Sequence, residues 1–289
     1  MGDGLEDPKT TYDRRASSCV ACSAGTLERK FSKQVLGRYE AAFFQCAQCG
    51  TLQISDVYWL PEAYGAGARF DLDTGAAQRG LVCALFIRAM RMAGLLPRGA
   101  KVVDFGAGSG LCVRLLRDLG FDAYGFDKYT QMPFCRDFRI ADLTAEGGLN
   151  ARLITAFEVF EHLPDPAATL ELLARNLGPG GAILLATSLY DPAAHGPDWE
   201  YLNPQHGQHI NFFSRTGLSR LAGRVKTKVV CLPFNFYLVA PESAGVGAFR
   251  RLMLFIFSAA MFMACRLGGL CRFKYANLDN RALSDRMRE

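Results

Sequence analysis

The sequence predicts an α/β protein: a doubly wound, mostly parallel sheet of seven strands, with a small four-cysteine module before it and an apolar helix after it. Three observations carry this. Across residues 101–240 short apolar runs alternate with helical patterns, which is the rhythm of strand, crossover and strand. One of those runs, Lys101–Phe105, passes directly into three glycines at alternate positions. Ahead of it stand two C-x-x-C pairs.

Composition sets the bounds. A chain of 289 residues that is 50% hydrophobic and 21% charged is long and apolar enough to bury a sizeable core, and it is no disordered segment. The opening MGDGLEDPKTTYDRR contains no apolar run, so nothing in it reads as a secretion signal. A cytoplasmic protein is expected, with its ten cysteines serving as metal ligands and buried thiols rather than disulfides. The net charge of +5 sits entirely in residues 246–289, where eight basic residues face three acidic ones. The rest of the chain is balanced and offers no net field to steer a polyanion, which disfavours broad nucleic-acid affinity. The expected organisation is a leader over 1–18, a zinc ribbon over 19–55, a helical bridge or lid over 56–98, the sheet domain over 99–242 and a C-terminal apolar helix with basic tail over 243–289.

The elements follow in order. Cys19-Val-Ala-Cys22 and Cys46-Ala-Gln-Cys49 are separated by 23 residues. Each pair makes a tight knuckle, and two knuckles supply the four thiolates that Zn2+ holds tetrahedrally. The stretch between them, including Tyr39–Gln45, reads as short strands, and a unit this small depends on its metal for stability. Residues 76–93 carry helical periodicity stopped by Gly94 and Pro97. Strands are predicted at 101–105, 122–126, 138–141, 152–157, 181–187, 226–231 and 235–240, and helices near 110–119, 166–176 and 214–222. The stretch 128–137 is too short for a full crossover helix.

Lys101-Val-Val-Asp104-Phe-Gly106-Ala-Gly108-Ser-Gly110 is a strand ending in an acid before a glycine turn that opens a helix. Its G-x-G-x-G spacing departs from the dinucleotide fingerprint G-x-G-x-x-G. An acid two residues ahead would repel a phosphate but suits a ligand bearing an ammonium and a sulfonium. The next strand ends at Asp127, whose carboxylate can accept from both hydroxyls of a ribose. The third ends at Asp142-Leu143, where a carboxylate can accept from an adenine amino group and a backbone N–H can serve the ring. Over about residues 95–240 the chain resembles the class I S-adenosylmethionine-dependent methyltransferases. The resemblance implies a Rossmann-like methyltransferase fold, with Gly106, Gly108 and Gly110 under the methionine part of the cofactor, Asp127 on the ribose and Asp142 facing the adenine.

The fourth strand runs into Glu158-Val-Phe-Glu161-His162, at the carboxyl edge of the sheet where open α/β folds bind ligands. His162, oriented by Glu161 or Glu158, is a candidate base for taking a proton from a methyl acceptor, a role worth about 10²–10⁴ in rate. E-x-x-E-H with a later histidine also resembles the magnesium site of the ubiquinone O-methyltransferases and of the small-RNA 2′-O-methyltransferases. That resemblance proposes Glu158, Glu161, His162 and His209 as ligands of Mg2+ or another divalent ion. A capping role for Glu161 and His162 is the structural alternative, while His206 and His195 read as loop residues.

A four-cysteine module ahead of an E-x-x-E-H methyltransferase further resembles the sugar C-methyltransferases of antibiotic biosynthesis, in which tyrosines between the two modules line the acceptor pocket. Tyr58 and Tyr64 match that place. Those enzymes continue into another α/β domain for which this chain has no room, so O-methylation of a small sugar-like or lipid-linked acceptor is favoured over C-methylation. An RNA methyltransferase and a non-catalytic cofactor-binding scaffold stay open as alternatives. Beyond the sheet, Leu252–Cys265 is uncharged for fourteen residues and flanked by arginines. At 1.5 Å per residue it spans roughly 21 Å, short of the hydrocarbon core. It is expected to pack on the core or across a homodimer, or to lie at a membrane surface.

Overall fold

The computed structural model describes residues 17–65, 75–241 and 247–267. Most of the leader and the basic tail beyond residue 267 lie outside the described residues.

The N-terminal module is a hairpin with a third short strand. β1 (Leu27–Val35) and β2 (Tyr39–Cys46) pair antiparallel, and β2 pairs with β3 (Leu52–Ile54). A short helix α1 (Leu60–Ala63) and the long α2 (Ala76–Met92) lead to the main domain. There β4 (Lys101–Phe105), α3 (Leu111–Asp118), β5 (Asp122–Phe126), β6 (Ala151–Phe157), α4 (Pro166–Arg175) and β7 (Leu177–Ala186) form the parallel half of the sheet. After β8 (Asn211–Phe212) and α5 (Arg215–Gly223), β9 (Thr227–Leu232) and β10 (Phe236–Pro241) complete it, and α6 (Ala248–Leu267) follows.

The main sheet has the order β5-β4-β6-β7-β10-β9, with β10 antiparallel to both its neighbours. It is thus a mixed sheet of six strands among the described residues. The strand expected over 138–141 is reduced to one parallel bridge, Gly125 to Arg139, beside a 3-10 turn over Arg136–Phe138. The reason is local. Ile140 N–H reaches Gly125 O (2.7 Å), but two residues on the Asp142 carboxylate takes the backbone N–H of Thr144 (2.7 Å). That side-chain turn ends the extended run before a ladder can form.

Strand alternation sends the sheet's side chains into two cores. Val102, Leu153, Leu184 and Leu238 face α2, α3 and α6, whereas Val103, Ile154, Ile183, Leu185 and Val239 face α4 and α5. Asp165 begins α4 as its N-cap, accepting from the backbone of Ala167 and Ala168, and Ser214 caps α5 through Gly217 N–H.

The N-terminal module is not a separate bead. β8, from the segment after β7, adds to the free edge of β3 and makes a four-stranded sheet β1-β2-β3-β8. A third core forms at this junction around Phe43, Leu52, Ile54, Trp59, Ile210 and Phe212. Trp59 Nε1–H donates to Gly207 O (2.8 Å), and Leu36 N–H to Pro204 O (3.0 Å). The loop that carries His209 is therefore held by the cysteine module.

Candidate active site

The three loop glycines adopt left-handed backbone, with φ of +75° at Gly106, +54° at Gly108 and +81° at Gly110. A Cβ at Gly106 would lie 2.5 Å from Val159 Cγ2, and one at Gly110 3.2 Å from the Cβ atoms of Met132 and Cys135. Beside Gly108 nothing lies within 4 Å. The first and third glycines are thus required by packing, and the middle one faces open space, a cradle into which a ligand can press against bare backbone. The contact with Val159 also seats the turn carrying Glu158 to His162 directly against the glycine loop.

Asp127 is buried and organises the loop: it accepts Gly108 N–H on one oxygen (2.8 Å) and the N–H groups of Tyr129 and Thr130 on the other (both 2.8 Å). Three accepted bonds still leave it acceptor capacity toward a ligand hydroxyl. Asp104 is also buried, and its carboxylate takes the Thr155 hydroxyl (2.6 Å). Burial pushes it up to about 7, opposed by that hydroxyl and reinforced by the charge of Asp127. A cationic ligand over this loop would stabilise its ionised form. Asp142 is exposed, and both contacts of its carboxylate run to Thr144 (2.7 Å each). Leu143 is buried, its carbonyl accepting from Asn176 (2.9 Å).

The second half of the site stands at the end of β6. Glu158 sits at φ +52°, a conformation that costs a non-glycine residue on the order of 1 kcal/mol. A 3-10 turn over Phe160–His162 then brings Glu161, His162 and His209 together, one ligand atom of each lying within 4.8 Å of the others. Ile210 N–H bonds to the Glu161 carbonyl (2.8 Å), which ties the His209 loop to the turn.

Tyr201, to which the sequence reading gave no role, joins the acids. Its hydroxyl bonds to the carboxylates of Glu161 and Glu158 (2.9 Å for the latter) and lies 3.1 Å from Thr187 Oγ1. Its carbonyl accepts from His209 Nδ1 (2.7 Å), because a carbonyl can only accept. Neutral His209 therefore keeps its lone pair on Nε2. The Tyr64 hydroxyl meets His162 Nδ1 (2.9 Å), and its ring stacks on Tyr129 at 4.6 Å, linking the histidine to the turn that binds Asp127. Tyr58 is not part of this group: it is 53% exposed, and its hydroxyl reaches Glu40 O.

Burial dominates the electrostatics. His209 is pulled down to about 4 and His162 well below its usual value, so both rings are neutral at pH 7. Glu161, fully buried and next to Glu158, is pushed well above the carboxylate range. Its Oε2 is buried without a hydrogen-bond partner. An orphaned carboxylate oxygen beside two neutral imidazoles is the donor set a divalent cation completes, and these residues fit such an ion.

The four cysteines converge as well. Cys19 Sγ and Cys49 Sγ are 3.5 Å apart and Cys22 Sγ and Cys46 Sγ 3.6 Å, with all four within 4.8 Å of one another. A tetrahedral zinc with 2.3 Å bonds requires sulfurs about 3.8 Å apart, so the cluster fits the metal. The Cys19 thiol, donating toward Cys49, pulls that partner down to about 5 and is itself pushed up.

Comparison with known proteins identifies the family. The family described as methyltransferase domain matches residues 77–232. The ubiquinone biosynthesis O-methyltransferase of Xanthomonas axonopodis pv. citri (strain 306) is 33% identical over 114 residues, covering 35% of this chain and 48% of that protein. Its counterpart in Xanthomonas oryzae pv. oryzae (strain PXO99A) is 32% identical over 111 residues, covering 33% and 46%. The chain spans about half the length of the curated relatives it matches. Among solved structures, the plantazolicin methyltransferase BpumL in complex with SAH shares 12% identity at a TM-score of 0.47, covering 63% of this chain and 93% of that one. The Burkholderia thailandensis 1,6-didemethyltoxoflavin-N1-methyltransferase shares 16% at 0.44, covering 74% and 97%. The match over more than half its length shows that the chain belongs to the methyltransferase-domain family and carries a class I S-adenosylmethionine-dependent methyltransferase domain.

Proposed function

We propose that this protein transfers the methyl group of S-adenosylmethionine to a hydroxyl oxygen of a small acceptor, sugar-like or lipid-linked, held between the glycine loop and the Glu158–His162 turn. The observation that carries the reading is the orphaned Glu161 Oε2 beside His162 and His209, in a turn packed against Gly106 through Val159.

When bound, S-adenosylmethionine supplies an electrophilic methyl on a cationic sulfur. The chain's own work is positioning and proton removal. Gly108 leaves its backbone bare to the donor, Asp127 has remaining acceptor capacity for the ribose, and Asp104 offers the counter-charge. Asp142 and Leu143 are proposed for the adenine, with the Asp142 carboxylate exchanging its bonds to Thr144 for the ligand's amino group. As the acceptor oxygen bonds the methyl carbon and the carbon–sulfur bond breaks, the acceptor's proton passes to a neutral imidazole, at His162 or at His209 Nε2. Tyr64 orients His162, and the Tyr201 carbonyl fixes the tautomer of His209. Alternatively, Glu161, His162 and His209, with Glu158 beside them, would hold a divalent ion in place of serving as base, and the ion would lower the pKa of a hydroxyl bound to it. Two imidazoles suit a first-row transition ion better than Mg2+.

Zn2+ on Cys19, Cys22, Cys46 and Cys49 is proposed as structural, since the sheet it anchors carries β8 and the His209 loop. The proposed domain division follows the one given above, except that residues 199–214 pack with the ribbon sheet. Among the described residues no helix is long and apolar enough to cross a membrane.

The test is incubation of the purified protein with methyl-labelled donor and fractionated sugar and lipid extracts, with and without a chelator too mild to strip the ribbon zinc. Transfer of label that Glu161→Gln abolishes while calorimetric donor binding persists supports the reading. Absence of any heat with the donor or its demethylated product overturns it.

A further inference from the structure

The edge of the sheet opposite the catalytic turn carries a second feature, independent of the methyltransferase reading. A cleft of about 650 Å³ is lined by Arg88, Arg91, Arg98, Arg152 and Arg250, and no carboxylate lines it. Arg88 and Arg91 come from the last turns of α2, Arg98 precedes β4, Arg152 is the second residue of β6, and Arg250 belongs to the first turn of α6. These positions fall at the N-terminal ends of β4 and β6, whereas the glycine loop and Glu158 follow their C-terminal ends. The length of β6 puts the two edges roughly 20 Å apart, so a molecule held in the cleft is out of reach of the methyl donor.

Five like charges in one cleft repel each other, and among the described residues none of the five forms an ion pair. Arg91 is the sharpest case. Its guanidinium lies 3.3 Å from the centroid of the Phe121 ring and gives one bond to Gly120 O (3.2 Å), leaving Nε and Nη2 buried with no partner. Arg91 is half-buried, and leaving two of its guanidinium nitrogens without a partner is costly unless an anion completes the group.

The neighbouring surface indicates what kind of anion. α6 packs on α2 through Leu254, Met253, Phe257 and Met261. On its outer side Leu252, Phe255, Ile256 and Met263 recur at helical spacing and are 46–62% exposed. This apolar ridge begins beside Arg250 and Arg251, and Met92, half exposed, sits in the lining of the cleft. Free phosphate would have no use for the ridge. Arginines next to exposed aliphatic and aromatic side chains match the two layers of a membrane interface, anionic headgroups above acyl chains.

We propose that the five-arginine cleft binds the phosphate of anionic lipid headgroups and that the outer ridge of α6 enters the interface beside it. The protein then docks on an anionic membrane through the edge opposite its catalytic turn, leaving that turn open to the aqueous side.

The test is co-sedimentation of the full-length, metal-loaded protein with vesicles of phosphatidylcholine alone and of phosphatidylcholine mixed with an equal part of phosphatidylglycerol. Binding is expected only to the mixed vesicles. Each arginine contributes about fivefold near a charged surface, so Arg98→Gln with Arg250→Gln should weaken it by about twenty-five-fold. Phe255→Ser with Ile256→Ser should weaken it further, with donor binding unchanged in both variants. Arg98 and Arg250 are exposed, so the arginine pair decides the matter if the helix variant fails to fold. Equal sedimentation with both vesicle types, or retention by the arginine variant, overturns the proposal. So does calorimetric binding of inorganic pyrophosphate, or of a single-stranded oligonucleotide, that needs the same arginines while the vesicles stay empty.

Discussion

Replacing Gly106 by alanine tests the link between the two halves of the site. The new Cβ meets two separate penalties. At φ +75° a side chain costs about 1–2 kcal/mol from its own backbone. At 2.5 Å from Val159 Cγ2 it also overlaps a β-branched side chain that has little rotamer freedom, and relieving such overpacking costs about 1–3 kcal/mol. Gly106→Ala should therefore lose about 2–5 kcal/mol of stability in urea denaturation followed by circular dichroism. The two parts separate in a double-mutant cycle. Val159→Ala removes the offending methyl, so Gly106→Ala in that background should retain only the backbone part, a favourable coupling of about 1–3 kcal/mol. Because Val159 stands next to Glu158, the single variant should also lose methyl transfer, and the double variant should regain part of it. Additive stabilities, with coupling below about 0.5 kcal/mol, would show that the glycine loop and the Glu158–His162 turn are not packed as described.

Gly108→Ala meets no neighbour, so it should cost only about 1 kcal/mol of stability yet weaken donor binding on the order of tenfold in calorimetry; unchanged affinity would place the donor elsewhere. Asp104 gives a pH signature. Its native value of about 7 lies above the 3.8 of the free side chain, so its contribution is complete below pH 3.8 and is lost as pH rises through 7, on the order of 4 kcal/mol in all. Asp104→Asn should flatten the denaturation midpoint over that window and weaken donor binding above pH 7; parallel profiles would refute the burial argument. Cys46→Ser should remove bound zinc, measured by elemental analysis, and make the His209 loop sensitive to protease, because structural zinc contributes about 10 kcal/mol or more of apparent folding energy. Cys231→Ser, at an exposed thiol outside the cluster, should leave the zinc content unchanged.

Local signals in the sequence set the elements and the chemistry-bearing positions. Short apolar runs of five to seven residues located β4, β5 and β6, because strands of a parallel sheet covered on both faces read as near-continuous apolar stretches. Glycines at 106, 108 and 110 marked a turn before a helix, and the structure adds that all three take the left-handed backbone that other side chains resist. The C-x-x-C pairs announced a four-sulfur cluster by spacing alone. What a local window does not contain had to come from packing. The polar stretch around Arg139 lies at the sheet's outer edge with a side-chain turn at Asp142, and so it makes one bridge where extended residues were expected to form a strand. Tyr201 reaches Glu158 across 43 residues, Tyr64 reaches His162 across 98, and β8 closes the edge of β3. No periodicity encodes such pairs. They follow from which buried donors and strand edges the folded chain leaves unsatisfied, and the folded chain satisfies them with whatever distant groups the sheet brings alongside.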